Sequence, residues 1–194
     1  MSYTKNFKDL SKNDVAVAGG KGASLGEMTK AGLQVPPGFV VLAAAFDRFL
    51  KETALDVEIE ARLKEVNKKD LNTVDRASNE IRAIIAKTKM PADLQKEILA
   101  DFKKLKSRFV AVRSSATSED SKTASWAGEL ETYLNVTEKD VIKQVMKCWS
   151  SLFTPRAIFY RFEKNFTRLR CRWPWWSKKW YSRKFPALLS LSTP

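Results

Sequence analysis

The chain has 194 residues, with 35 Lys and Arg against 22 Asp and Glu, no His, two Cys and six Trp, a length that suits one ordinary domain or a piece of something larger. Without histidine there is no Ser-His-Asp triad, no phosphohistidine carrier and no His-ligated zinc. Cys148 and Cys171 make neither a four-cysteine zinc site nor a disulfide framework, which points to a reducing, cytoplasmic setting.

From Met1 to Phe49 the chain is punctuated by glycine, with six of the seven glycines at positions 19, 20, 22, 26, 32 and 38. The run Gly19-Gly20-Lys21-Gly22 reads as a loop. Ala23, Leu25, Met28 and Ala31 then have helical spacing, Gly32 stops that helix, and Phe39-Val40-Val41-Leu42 reads as a buried strand. The longest apolar stretch, Phe39 to Phe46, is eight residues, far short of the roughly twenty that a membrane-spanning helix needs, and the N-terminus lacks the apolar block of a secretory signal.

Apolar residues three and four apart predict amphipathic helices over Leu55–Val66 and Leu71–Ile85, and a third after Pro91 through Leu94, Ile98, Phe102 and Leu105. Phe109-Val110-Ala111-Val112 reads as a buried strand ending at Arg113 and the hydroxyl-rich Ser114-Ser115-Ala116-Thr117-Ser118. Glu129–Val136 alternates like a second strand, with Leu130, Thr132, Leu134 and Val136 on one face. Glu138–Phe162 is helical with a new start at Pro155, and Cys148 is a core residue rather than a reactive thiol.

From Arg168 to Pro194 the composition changes: seven basic residues, no acidic ones and four of the six Trp. The preceding 167 residues carry 28 basic and 22 acidic side chains, so over half of the +13 net charge sits in the last 27. Such a tail could be a nucleic-acid-binding arm, since Arg and Lys neutralise phosphates and Trp stacks on bases.

Three features carry possible chemistry. Glycines around Lys21 could turn backbone N–H groups and a helix start toward a phosphate, although this is not a Walker A loop, and a glycine turn with a surface lysine is the competing reading. Arg113, at the end of a buried strand, could clamp a phosphate bidentately or pair with Glu119 or Asp120. The small-residue stretch Ser125-Trp126-Ala127-Gly128 could close over phosphates through its backbone or lead into a hairpin.

The ordered motifs Gly19-Gly20-Lys21-Gly22-Ala23-Ser24-Leu25-Gly26-Glu27-Met28, Val35-Pro36-Pro37-Gly38-Phe39, Val110-Ala111-Val112-Arg113-Ser114-Ser115-Ala116-Thr117-Ser118-Glu119-Asp120, Ala124-Ser125-Trp126-Ala127-Gly128 and Glu131-Thr132-Tyr133-Leu134-Asn135-Val136 resemble the N-terminal nucleotide-binding domain of the pyruvate phosphate dikinase and phosphoenolpyruvate synthase family. The likeness continues through Cys148-Trp149-Ser150-Ser151-Leu152-Phe153 and Arg156-Ala157, covering roughly residues 3–167. Rifampicin phosphotransferase and pyruvate, phosphate dikinase share this domain, but the lysine-bearing glycine loop is more similar to the synthase branch.

The resemblance implies an α/β fold, the first lobe of an ATP-grasp domain truncated at about residue 167. It implies ATP as ligand, with Lys21 and Arg113 on the phosphates and Gly128, Glu131 and Thr132 lining a lid loop. The parent reaction would pass a phosphoryl group to a histidine on another domain and on to pyruvate. Mg²⁺ ligands are expected in the missing second lobe, and no metal ligand is assigned here. The isolated chain is expected to be inactive, with no specific nucleic acid and no membrane as partner; a purely non-catalytic assembly fragment is a further alternative.

Residues 168–194 depart from the family pattern and are expected to be disordered. Because tryptophan has a single codon, the DNA behind them can be read one base away: Trp173-Pro174 then gives alanine, and Trp175-Trp176 and Trp180-Tyr181 give valine. Permitted codons extend this to an apolar strand-like run, so the tail is expected to be a frameshift product.

Overall fold

A computed structural model describes residues 2–67, 69–114, 132–163 and 187–190. Helices and a single five-stranded sheet share them, a mixed α/β architecture. The chain opens with β1 (Thr4–Asn6) and two short 3₁₀ turns, then runs through α1 (Val15–Lys30), β2 (Gly38–Val41), α2 (Ala43–Glu52), α3 (Leu55–Lys64), α4 (Leu71–Lys87) and α5 (Ala92–Lys104). It continues with β3 (Val110–Ser114), β4 (Thr132–Val136), α6 (Val141–Ser150), α7 (Pro155–Glu163) and β5 (Ala187–Ser190). The strand order is β1-β2-β5-β3-β4, with every neighbouring pair antiparallel.

The two faces of the sheet are covered unequally. Alternate residues Phe39 and Val41 of β2, Val110 and Val112 of β3, and Val136 of β4 enter one large core with α2 to α7. Trp149 of α6 sits at its centre, 1% exposed, with its ring 5.2 Å from Phe46 and 5.4 Å from Phe49 of α2. Val40, pointing the other way, packs with Phe7, Leu10 and Ala18, so α1 and the N-terminal turns cover that side of β2.

The expected glycine loop is a kink within a helix. Ser11 and Asp14 form a capping box on the 3₁₀ turn Lys12–Asp14, with Asp14 Oδ2 accepting from the Ser11 N–H at 2.8 Å and its hydroxyl at 2.9 Å, and α1 follows directly at Val15. The helix breaks at Gly19, where φ is 72° and ψ 166°, and resumes with Gly20, Lys21 and Gly22 in the first turn of the second segment. Gly32, with φ of 75°, ends it as the sequence suggests: its N–H donates to the Thr29 carbonyl and that of Leu33 to Met28, both orphan carbonyls of the last turn.

The even alternation expected along β4 is interrupted. Val112 pairs with Tyr133 and Arg113 with Thr132, but Val110 pairs with Val136, so β4 carries one extra residue, and Asn135 takes the left-handed conformation at φ of 55°. The bulge reverses the facing of the strand: Leu134 is 60% exposed, whereas Val136 is buried.

Within the tail, Ala187–Ser190 form β5 between β2 and β3. Backbone pairing on both sides asks little of side-chain identity, which is why composition did not reveal it. Residues 168–186 and 191–194 lie outside the described residues.

Candidate functional site

Lys21 is exposed on the first turn after the Gly19 kink, where a helix start carries partial positive charge. What holds that turn in place is the close approach of the glycines beside it. A Cβ on Gly22 would lie 3.0 Å from Val40 Cγ2, and one on Gly26 would lie 2.6 Å from the Leu10 carbonyl oxygen. Gly22, one of the glycines that invited a phosphate reading, and Gly26 after it therefore serve packing, one turn apart on the face of α1 that meets β2 and the N-terminal turns.

Arg113 is exposed near the end of β3 on the face opposite Val112. Successive register pairs place it in one row across the sheet: Lys5 opposite Val40, Val40 opposite Leu188, Leu188 opposite Arg113, and Arg113 opposite Thr132. Residues paired across antiparallel strands share a face, so Arg113 and Thr132 stand on the side of the sheet that α1 covers at Val40. Two strand spacings, about 10 Å, separate Val40 from Arg113 along that row. Lys21, next to the Gly22 that rests on Val40, thus belongs to the same side of the fold as Arg113 and Thr132.

The remaining cation of the row is committed. Lys5 Nζ donates to Asp14 Oδ1 at 2.9 Å, and this bond, against a smaller opposing effect of burial and with help from Ser11, holds the Asp14 carboxyl below the usual aspartate range. Gly128 and Glu131 lie outside the described residues, as do Glu119 and Asp120, the alternative partners of Arg113, and the Ser125–Gly128 stretch. Leu188 as the neighbour of Arg113 was not anticipated; the signal available was that Phe185–Pro194, unlike the rest of the tail, carries no charge.

The donor set suits a polyphosphate: a lysine, an arginine and a hydroxyl, beside a helix start. Among the described residues there is no group of three or more His, Cys, Asp or Glu that could hold a metal ion. No helix among them is long and apolar enough to cross a membrane. A cavity of about 830 Å³ lined by Leu99, Phe102 and Ile142, among others, contains none of these site residues.

Comparison with known proteins gives this geometry a context. Residues 15–172 match the family described as pyruvate phosphate dikinase, AMP/ATP-binding domain. The chain is 46% identical over 173 residues to a probable phosphoenolpyruvate synthase of Methanothermobacter thermautotrophicus, covering 86% of this chain and 25% of that protein. It is 47% identical over 177 residues to a probable phosphoenolpyruvate synthase of Methanocaldococcus jannaschii, covering 88% of this chain and 15% of the relative. Against the probable phosphoenolpyruvate synthase of Archaeoglobus fulgidus, identity is 50% over 164 residues, 81% of this chain and 22% of the other. The chain spans a quarter or less of the length of these curated relatives.

Proposed function

The chain belongs to the pyruvate phosphate dikinase AMP/ATP-binding domain family, and from that premise we propose that it is the ATP-binding portion of a phosphoenolpyruvate synthase, corresponding to the first lobe of an ATP-grasp domain. In this reading Lys21 and Arg113 bind the phosphates, and Gly128, Glu131 and Thr132 belong to the loop and strand that cover them. The observation that carries the proposal is the placement of Arg113 directly opposite Thr132, on the side of the sheet where the Lys21 turn is seated.

Phosphoryl transfer asks the protein mainly for positioning and for compensation of negative charge, which the Lys21 ammonium and the Arg113 guanidinium supply. Bound ATP supplies the phosphoryl group. Since the chain has no histidine, the phosphohistidine belongs to another part of the parent enzyme, a pyruvate, water dikinase, and this reading assigns the pyruvate site and the Mg²⁺ ligands to other parts as well. The chain alone then binds nucleotide without completing the reaction.

Titration of the 194-residue chain with ATP, followed by amide NMR, tests this. Shifts grouped at Gly20, Lys21, Arg113 and Thr132 are expected, and no shift at these positions at millimolar ATP overturns the reading. Steady formation of phosphoenolpyruvate from pyruvate and ATP by this chain alone overturns its status as a portion. For the tail, a frameshift remains our proposal, supported by its composition and by the family-like reading one base away. Resequencing the source DNA decides it, an intact frame with no such reading being the adverse result.

A further inference from the structure

We propose that the groove between α5 and the start of α6 is a second ligand site, for a small amphipathic anion whose apolar body lies on Leu99, Phe102 and Ile142 and whose acidic head is met by Arg108 and Lys139. The inference does not depend on the nucleotide reading.

The groove arises where the sheet stops. The β3–β4 ladder ends at the pair Val110 and Val136, and beyond it the two chains part, one leading back to α5 through Ser107 and Arg108, the other on to α6 through Thr137, Glu138 and Lys139. Between these connections and one side of α5 a cavity of about 830 Å³ stays open, within the range of about 300–1,000 Å³ usual for small-molecule sites. Its apolar lining continues the main core outward: Phe102 is buried, and Leu99 and Ile142 are half-buried against the same cluster. A ligand body laid there would cover apolar surface that the fold itself leaves wet.

The polar lining decides the sign of the ligand. Its neutral groups are already used: the Ser107 hydroxyl donates to the Phe109 carbonyl at 2.6 Å, that of Thr137 to Asp140 Oδ2 at 2.7 Å, and Gln95 Nε2 to the Met90 carbonyl at 2.7 Å. Glu138, the one carboxylate in the lining, is met by Lys103 Nζ at 3.2 Å in a link between α5 and the turn before α6. Arg108 and Lys139 remain, both exposed and neither in an ion pair among the described residues. The Arg108 guanidinium rests 5.1 Å from the centre of the Phe109 ring, a contact that leaves its N–H donors available. Two uncompensated cations beside a low-dielectric apolar wall favour an anionic head.

Length favours a small molecule. Gln95, Leu99 and Phe102 span two turns of α5, about 10 Å, short of the three or four turns of an average partner helix. The groove also lies apart from the phosphate candidates. α5 and α6 pack on the face of the sheet that bears Val110 and Val112, whereas Arg113 and Thr132 stand on the other, so both ligands could be held at once.

Fluorescence titration of the full chain with anilinonaphthalenesulfonate, located by amide NMR, tests this. Binding should saturate, with shifts gathered at Leu99, Ser107, Arg108, Lys139 and Ile142. Phenylnaphthylamine, the same rings without the sulfonate, should bind about tenfold more weakly, the scale of one or two charge-assisted contacts. Arg108→Gln combined with Lys139→Gln alters only exposed side chains; it should weaken the sulfonate by about the same factor and leave phenylnaphthylamine unchanged. Shifts that gather in residues 168–194 instead, or a sulfonate affinity indifferent to the double variant, overturn the proposal. Displacement by ATP overturns it too, because the groove would then belong to the nucleotide site. Saturable binding at the groove in the presence of ATP supports it, whether or not ATP shifts Lys21 and Arg113.

Discussion

Arg113 and Thr132 occupy directly opposed positions on β3 and β4, both side chains exposed, in a register that the bulge at Asn135 sets: continued from the Val110–Val136 pair without the extra residue, Arg113 would face Tyr133. A guanidinium beside a hydroxyl at a strand end is a polar grip for an oxyanion. Arg113→Ala should weaken ATP binding by about 1.5–3 kcal/mol, roughly 10- to 100-fold, the range for hydrogen bonds to charged groups. Arg113→Lys should recover only part of it, because the planar fork is lost. Thr132→Val, which keeps the β-branched shape, isolates the hydroxyl and should cost about 1 kcal/mol. Calorimetric titration reads the affinities, and an unchanged melting temperature in each variant confirms that binding and not folding was altered.

In the proposed site Lys21 would act through its charge, from an exposed helical turn. Alanine there is the best helix former, so Lys21→Ala should leave stability within about 0.5 kcal/mol. ATP affinity should drop on the order of tenfold, and its dependence on ionic strength should flatten, because a solvent-exposed charge is screened by salt. Titrations at low and high salt check this; equal salt dependence in the variant and the parent would remove Lys21 from the phosphate site.

How far the sequence showed this arrangement depended on whether an element carried its own signal. The helices α3, α4 and α5 have strong apolar spacing and lie within two residues of the expected bounds, and the strand expected from Phe109 starts one residue later, at the buried Val110, leaving Phe109 exposed, and reaches Arg113 as read. Pro155 does begin α7, and Cys148 is buried in the core. The start of α1 carries no local signal ahead of the glycines, because Ser11 and Asp14 cap the short 3₁₀ turn before it and no side chain caps the helix itself. The packing roles of Gly22 and Gly26 depend on Val40 and Leu10, and no local pattern reports a contact between segments. The bulge at Asn135 and the insertion of β5 are likewise set by strand pairing across the chain, which a period-two pattern cannot encode.

The contrast between Gly26 and Gly32 separates two uses of glycine. A Cβ at Gly26 would meet Leu10 backbone and side-chain atoms at 2.6 to 2.8 Å, so Gly26→Ala must push α1 away from the N-terminal turns, costing about 1–3 kcal/mol. At Gly32 nothing lies within 4 Å, and the only penalty for alanine is its φ of 75°, about 1 kcal/mol. Urea denaturation should therefore rank Gly26→Ala below Gly32→Ala. Gly26→Ala should also weaken ATP binding, since the Lys21 turn is seated by the same helix, whereas Gly32→Ala should leave it unchanged.

Acid should loosen the N-terminal strand through Glu97. Burial pushes its carboxyl upward, but Oε1 accepts hydrogen bonds from the Ser2 hydroxyl at 2.6 Å, the Tyr3 N–H at 2.7 Å, and the Thr4 hydroxyl and N–H at 3.0 and 3.1 Å, and together these hold it below the ordinary 4.5. A carboxyl lowered by folding contributes stability that is complete above its unfolded value and is lost as pH falls through the folded one. Asp14, lowered by Lys5, acts in the same direction. Stability should thus be steady at neutral pH and decline below about pH 4.5. Glu97→Gln keeps a carbonyl acceptor but does not titrate, so it should cost about 1 kcal/mol at pH 7 and lose less on acidification than the parent chain. Urea midpoints at neutral and acid pH provide the comparison; parallel losses in the two proteins would show that Glu97 is not the acid-sensitive tie between α5 and β1.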